Sequence, residues 1–351
     1  MRGSAMRFQR VRLASLAHDL PPRRVPSEEL EERLAPIYGR LGLRVGRLEL
    51  MTGIAERRFA EPGTRPSTLA TGAGRLALLR SGISPEQLGA VIHSSVCRDF
   101  LEPATASVVH SNLGLPETCA AFDLSNACLG FLNGMIEVAR AIELGEIRAG
   151  LVVSGEDGGP LVEATIASLL QRADQVTRKE LKLALASLTI GSGSVAAVLT
   201  ASDLAPDAPV FLGGAQRADT RHVELCQGDQ VGELGGPLME TDAEALLEAG
   251  CSLAARTFPD FLGQLDWRRE EVDRFVTHQV GGAHRRALLG ALELDPSLDF
   301  PTVETLGNVG TVSAPISLSL ALESGSIPPG SRVAILGIGS GLHCAMLGLR
   351  C

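Results

Sequence analysis

Cys128 stands between two unlike stretches, and that placement gives its sulfur something to do. Residues 121 to 125, AFDLS, read as a short buried strand and Asn126-Ala127 as a tight turn. Cys128 is then the first residue of a helix running to Leu144, with Gly145 in the usual C′ position. Unpaired N–H groups and the positive end of the helix dipole favour thiolate over thiol. The same N–H groups can hold a developing oxyanion. An inert core cysteine is the other reading of that position. His278 falls at the C-terminal end of an apolar strand, where α/β sites gather their groups. Asn308 lies in a Gly307-Asn308-Val309-Gly310 turn whose glycines let backbone approach a ligand closely. Glu102 precedes Pro103 at an expected helix start, where a carboxylate is favourable by about 0.5–2 kcal/mol as a cap.

These groups need elements to place them. The helix from Cys128 carries Leu129, Phe131, Leu132, Met135, Ile136, Val138, Ala139 and Ile142, which cover nearly every side, so it packs protein on both faces. Before it come a first strand over 7–16, a charged helix over 26–41, a surface turn over 50–59, a helix over 68–81 stopped by Gly82, and a strand over 88–95. After it come a strand over 149–154, a mostly helical cap over 160–188 and, over 190–200, a Gly/Ser turn into a strand. The Pro- and Asp-rich run 201–209 divides the chain into halves, 1–204 and 205–351. The second half reads as a strand near Val210, a polar Gly-rich loop over 217–237, a helix over 242–258, a strand over 274–277, helices over 283–292 and 312–324, and a strand over 332–336. The order around AVIHSS and Cys128 repeats around RFVTHQ and Asn308, which predicts two similar α/β halves with Cys128 and Asn308 in matching turns.

Composition sets the limits. A chain of 351 residues can bury a large core, and with aromatics at only 3% that core is Ala, Leu, Val, Ile and Gly. A net charge of −9 without a long basic run argues against nucleic acid as the partner. The apolar run 333–349 contains four glycines, Ser340 and His343, and reads as a buried strand and loop instead of a membrane span. Seven cysteines without metal or disulfide spacing suit a reducing cytoplasm. The opening MRGSA is read as a leader or an alternative start, with no apolar signal region behind it.

Cys, His and Asn in this order, within NACLGF, HQVGGAH and GNVGTVSAP, resemble the β-ketoacyl synthase III branch of the thiolase superfamily, from about residue 8 to the C-terminus. Gly337 to Leu342, GIGSGL, is similar to that family's terminal Gly-rich loop. Within the branch, SSVCRDFLEPATASVVHSNLG resembles the segment that carries an acidic base in OleA-type acyl-CoA condensing enzymes, with Glu102 at the glutamate. The resemblance implies a thiolase-like fold of two pseudo-duplicated α/β halves in an αβαβα arrangement. It also implies a non-decarboxylating, head-to-head Claisen condensation of two fatty acyl-CoA molecules. Cys128 is acylated, with the Cys128 and Ser340 N–H groups as oxyanion hole and Gly339 and Gly341 lining the substrate site. Glu102 takes the α-proton of the second acyl-CoA, His278 and Asn308 hold the enolate, and a 2-alkyl-3-ketoacyl product leaves as the β-keto acid. No cofactor or metal is implied, since CoA thioesters are the substrates. The expected partners are a second copy of the chain, whose Glu102 reaches the neighbouring site, and downstream enzymes of olefin, ketone or β-lactone synthesis.

Competing readings are a decarboxylating 3-oxoacyl-ACP synthase III, an acyltransferase of the same fold, and a noncatalytic partner subunit, which would have no reason to keep Cys128, His278 and Asn308 together. Gly281, where synthases of the branch commonly have Asn after His-Gln-x, weighs against plain fatty-acid initiation. His284 and the pair Arg285-Arg286 read as structural or solvated, His343 and Cys344 as packing, and His93 and Cys97 as neighbours of Glu102.

Overall fold

In the computed structural model, which describes residues 6–229 and 237–351, alternation along the strands decides the architecture. In the strand Gly193–Ala201, Val195, Ala197 and Leu199 face one core while Ala196 and Val198 face another. In Arg332–Gly339, Val333 and Ile335 join the first of those cores, whereas Ala334, Leu336 and Ile338 join a third. A strand apolar on both sides must be covered on both sides. Helices Gly130–Leu144 and Ser313–Glu323 lie in the shared core between the two sets of strands. Helices Pro66–Ser81 and Thr105–Leu113 cover the first set from outside, and Ala243–Leu265 and Gly282–Ala291 cover the second. The result is the expected α/β layering, αβαβα.

Strand order repeats. The first set runs Val11–Asp19, Gly193–Ala201, Ala149–Glu156, Ala90–His93, Ala120–Asp123, and the second runs Val210–Ala218, His343–Arg350, Arg332–Gly339, Arg274–Thr277. The two sets join where Arg12 pairs with Val210. The first set ends in a full strand, Ala120–Asp123, while the second ends in a single bridge between Phe275 and Asp299.

Several sequence expectations need correction. The charged helix over 26–41 is two helices, Ser27–Arg33 and Ala35–Leu41. The stretch 50–59 is not a surface turn: helix Arg47–Thr52 leads into strand Glu56–Phe59, and Arg57 is fully buried, donating to the carbonyls of Val25 and Leu188. Helix Ala243–Leu265 continues through Pro259, because burial of Leu253, Phe258, Phe261 and Leu265 offsets the lost hydrogen bond. The run 333–349 is an antiparallel hairpin, not one strand and a loop. The expected loop over 217–237 contains strand Cys226–Asp229, paired with Leu238–Thr241; residues 230–236 of it, and MRGSA at 1–5, lie outside the described residues. The cap packs helices Gly159–Gln171 and Arg178–Leu188 on the segment 25–59. Among the described residues no helix is long and apolar enough to cross a membrane, and no cluster of potential metal ligands occurs.

Candidate active site

The strand before Cys128 is shorter and more open than its sequence suggests. Ala120–Asp123 is the sheet edge, and Phe122 is 44% exposed. Chain then turns sharply: Ala127 adopts φ +44°, unusual for a residue with a Cβ, and Ala127–Leu129 form a 3₁₀ turn before the α-helix starts at Gly130. Cys128 therefore sits in the turn ahead of the helix, not at its first residue. Gly130 permits the turn to close, since a Cβ there would lie 2.7 Å from Ser94 Oγ.

Cys128 keeps part of its surface open, but protein crowds its thiol, and that desolvation, followed by the nearby Cys226 and Glu156, pushes the pKa up to about 12. The backbone N–H groups of Cys128 and Ser340 act on the sulfur in the opposite sense and do not prevail. Position at a helix start thus does not make a resting thiolate. It supplies two donors around the sulfur, where an oxyanion would form.

The second half converges on this corner through one strand. Arg332–Gly339 brings Gly339 so close that a Cβ there would lie 3.6 Å from the Cys128 Cβ, and Ser340 follows. Gly341, at φ +117°, makes room for the His343 ring, which a Cβ would meet at 2.6 Å. His278 follows Arg274–Thr277, the parallel neighbour of that strand, and donates its N–H to Leu336 O at 2.8 Å. The imidazole is 3% exposed with both ring nitrogens unpartnered, and burial, then His284, pushes its pKa down to about 3. It rests as a neutral imidazole whose two ring nitrogens are available for hydrogen bonds.

Asn308 is held by backbone: its N–H donates to Thr189 O and its carbonyl accepts from Gly191 N–H, both at 2.9 Å. The side-chain Oδ1 accepts the Gly310 N–H at 3.1 Å, leaving the amide NH₂ free to donate. The 3₁₀ turn Gly310–Val312 then enters helix Ser313–Glu323, matching the turn at Cys128. The Phe131 N–H donates to Thr311 Oγ1 at 2.8 Å, joining the two turns directly.

Glu102 is not brought to Cys128 within the chain. It is exposed, in a loop with Val96 at 53%, Phe100 at 39% and Leu101 at 82% exposure. Nor does it cap a helix. That helix starts at Thr105, and Asp123 caps it, accepting the Thr105 and Ala106 N–H groups at 2.9 and 2.8 Å. His93 faces Asp123, 3.7 Å away, instead of Glu102. Arg285 is committed to a buried ion pair with Asp299 and has no charge to offer a phosphate. His284 is a second buried imidazole, its pKa pushed down to about 4 by desolvation.

Sequence reasoning passed over Glu156, which closes strand Ala149–Glu156. It is 4% exposed and accepts the Val96, Cys97 and Thr311 N–H groups at 3.0, 3.4 and 3.3 Å. A carboxylate ending a wholly buried strand is itself a signal, since apolar strands rarely carry one without a task.

The chain is similar to known proteins over nearly its whole length. The family model "Thiolase, N-terminal domain" matches residues 49–207, and "3-Oxoacyl-[acyl-carrier-protein (ACP)] synthase III C terminal" matches 262–351. An acyl-CoA:acyl-CoA alkyltransferase of Shewanella oneidensis is 43% identical over 98% of this chain and 100% of its own. The protein of the same name from Xanthomonas campestris is 42% identical over 97% and 98%. The chain belongs to this family of acyl-CoA:acyl-CoA alkyltransferases. A solved structure of Xanthomonas campestris OleA with a glutamate replaced by glutamine is similar over 100% of this chain and 99% of that one, with a TM-score of 0.93 at 42% identity. A cerulenin-bound OleA structure matches at a TM-score of 0.93 and 42% identity over 100% of both chains. The fold of the alkyltransferase family is thus the thiolase-like fold described above.

Proposed function

We propose that this alkyltransferase joins two fatty acyl-CoA molecules head to head in a site built from Cys128, His278, Asn308 and Ser340 of one subunit and Glu102 of another. The reading rests most on the loop around Glu102: a charged residue among exposed apolar side chains, beside an open sheet edge, is arranged to meet another protein surface. A second copy fits, because Phe122 and the strand Ala120–Asp123 can pair with themselves across a two-fold axis. That OleA structures include variants at a glutamate, a cysteine and a histidine supports roles for the same residue types here.

The chemistry follows from charge. Neutral His278 takes the Cys128 proton as sulfur attacks the first acyl-CoA, and the tetrahedral oxyanion rests on the Cys128 and Ser340 N–H groups. CoA leaves with that proton. Glu102 then removes the α-proton of the second acyl-CoA, with the Asn308 amide and the neutral His278 ring N–H holding the enolate oxygen. The carbanion attacks the acyl-Cys128 carbonyl, a C–C bond forms, and the thiol leaves with the proton from Glu102. Water cleaves the remaining thioester, giving the β-keto acid and CoA. Gly339 keeps the approach to Cys128 free of a side chain, and Gly341 lets the loop turn past the His343 ring. The halves 1–204 and 205–351 each supply one of the two corners, and the free state of all seven cysteines suits a cytoplasmic enzyme.

Incubation with a single long-chain acyl-CoA tests this. Wild type releases CoA and yields the ketone that forms when the β-keto acid loses CO₂, whereas Glu102→Ala acylates Cys128 and stops. If Glu102→Ala condenses at the wild-type rate, the base lies elsewhere.

A further inference from the structure

Glu156 ties together segments on both sides of the site, yet takes no part in the mechanism above. Its carboxylate reaches two segments directly and a third through Thr311. It holds the Val96 and Cys97 N–H groups at 3.0 and 3.4 Å, at the root of the loop that carries Glu102. It holds the Thr311 N–H at 3.3 Å, three residues after Asn308. Gly310, at φ +56°, passes so close that a Cβ there would lie 3.1 Å from Glu156 Oε1, so the Asn308 turn is shaped around this carboxylate. Thr311 in turn accepts the Phe131 N–H beside Cys128. Ser95 adds a second tie at the same root, its hydroxyl donating to Gly155 O and accepting from Cys97 N–H.

We propose that Glu156 is a positioning residue, whose single carboxylate holds the Glu102 loop and the Asn308 turn in register with Cys128 for the condensation step. This rests on Glu102 and Asn308 acting as described above. Acylation needs mainly Cys128, His278 and the Ser340 N–H, none of which Glu156 touches through a hydrogen bond. Condensation needs the two segments it ties. A misplacement of about 1 Å can cost roughly 10²-fold in such a step, so loss of Glu156 should separate the two half-reactions.

The carboxylate also leaves a signature at the thiol. The ionisable groups acting on Cys128 are Cys226 and Glu156, and both hold its pKa up. Those facing Glu156 include Cys97, whose own thiol is pushed well up by burial and then by this carboxylate. Removing the negative charge lowers the Cys128 pKa, and its alkylation begins at lower pH.

Full-length Glu156→Gln and Glu156→Asp, as assembled protein, carry the test with myristoyl-CoA and with iodoacetamide read at the Cys128 peptide. In Glu156→Gln, CoA release from first acylation should stay within about threefold while condensed product falls by about thirtyfold or more, and alkylation should begin at lower pH. Glu156→Asp keeps the charge but shortens the reach, so it should lose condensation with an unchanged alkylation profile, and it serves alone if the Gln variant fails to fold. Equal loss of both half-reactions in both variants, or condensation within about twofold of wild type, would overturn the proposal. Glu102→Ala runs in parallel. If it condenses normally while Glu156→Gln does not, Glu102 is not the base and the positioning role stands on the Asn308 turn.

Discussion

The Cys128 and Asn308 corners occupy matching places, a 3₁₀ turn leading into a central helix, but they are finished differently. Before Cys128 the sheet extends to a full edge strand with Phe122 exposed; before Asn308 the corresponding edge shrinks to one bridge at Asp299, which is buried and paired with Arg285. One corner lies beside an open sheet edge and an apolar loop, and at the other the matching sheet edge is buried. Two equivalent turns thus differ in surroundings: on the proposed reading one presents the nucleophile beside a face for a second subunit, and the other presents a fixed donor. The two are tied reciprocally, since Thr311 Oγ1 accepts the Phe131 N–H and Glu156 accepts the Thr311 N–H.

The largest effect expected from this division is chemical. Asn308→Ala removes the donor from the second corner and should slow condensation by about 10²–10³-fold while acylation continues; equal loss of both steps, measured by CoA release against product, would erase the distinction.

A pH effect comes next. His278 and His284, both in the second half, have pKa values pushed down to about 3 and about 4 by burial, so the folded state binds fewer protons than the unfolded state below the ordinary histidine value near 6.5. Depressed pKa values make stability fall as pH drops from that value toward the folded ones, by about 2 kcal/mol per histidine at pH 5. Thermal melts at pH 7 and pH 5 check it, and His284→Leu should shrink the difference.

Smaller again is the tie between corners. Thr311→Val leaves the Phe131 N–H unsatisfied and should cost about 1–3 kcal/mol in denaturant unfolding. Asp123→Ala, which uncaps helix Thr105–Leu113 in the first half alone, should cost about 0.5–2 kcal/mol.

Much of this plan was legible because it is local. Glycines at 82 and 145, the apolar strands and the helix from the Cys128 turn all declare themselves through turn chemistry and periodicity, and the repeated order placed Cys128 and Asn308 in matching turns. What stayed hidden depends on contacts distant in sequence. The capping of Thr105 by Asp123, the cover over Arg57 and the reach of Glu156 to Val96 and Thr311 have no short-range pattern. The thiol's raised pKa was missed for the same reason: a helix start is visible in sequence, whereas the crowding that outweighs it is not. Pro259 misled because a local rule was overridden by the burial of an entire helix face.

The central claim is a site shared between subunits, and co-expression of Cys128→Ala and Glu102→Ala chains tests it most directly. Each variant alone should be inactive in condensation. If Glu102 serves the neighbouring site, mixed dimers regain one working site, and random pairing restores about one quarter of wild-type condensation. If Glu102 serves its own chain, no subunit in the mixture carries both groups, and co-expressed protein as inactive as the separate variants would contradict the account.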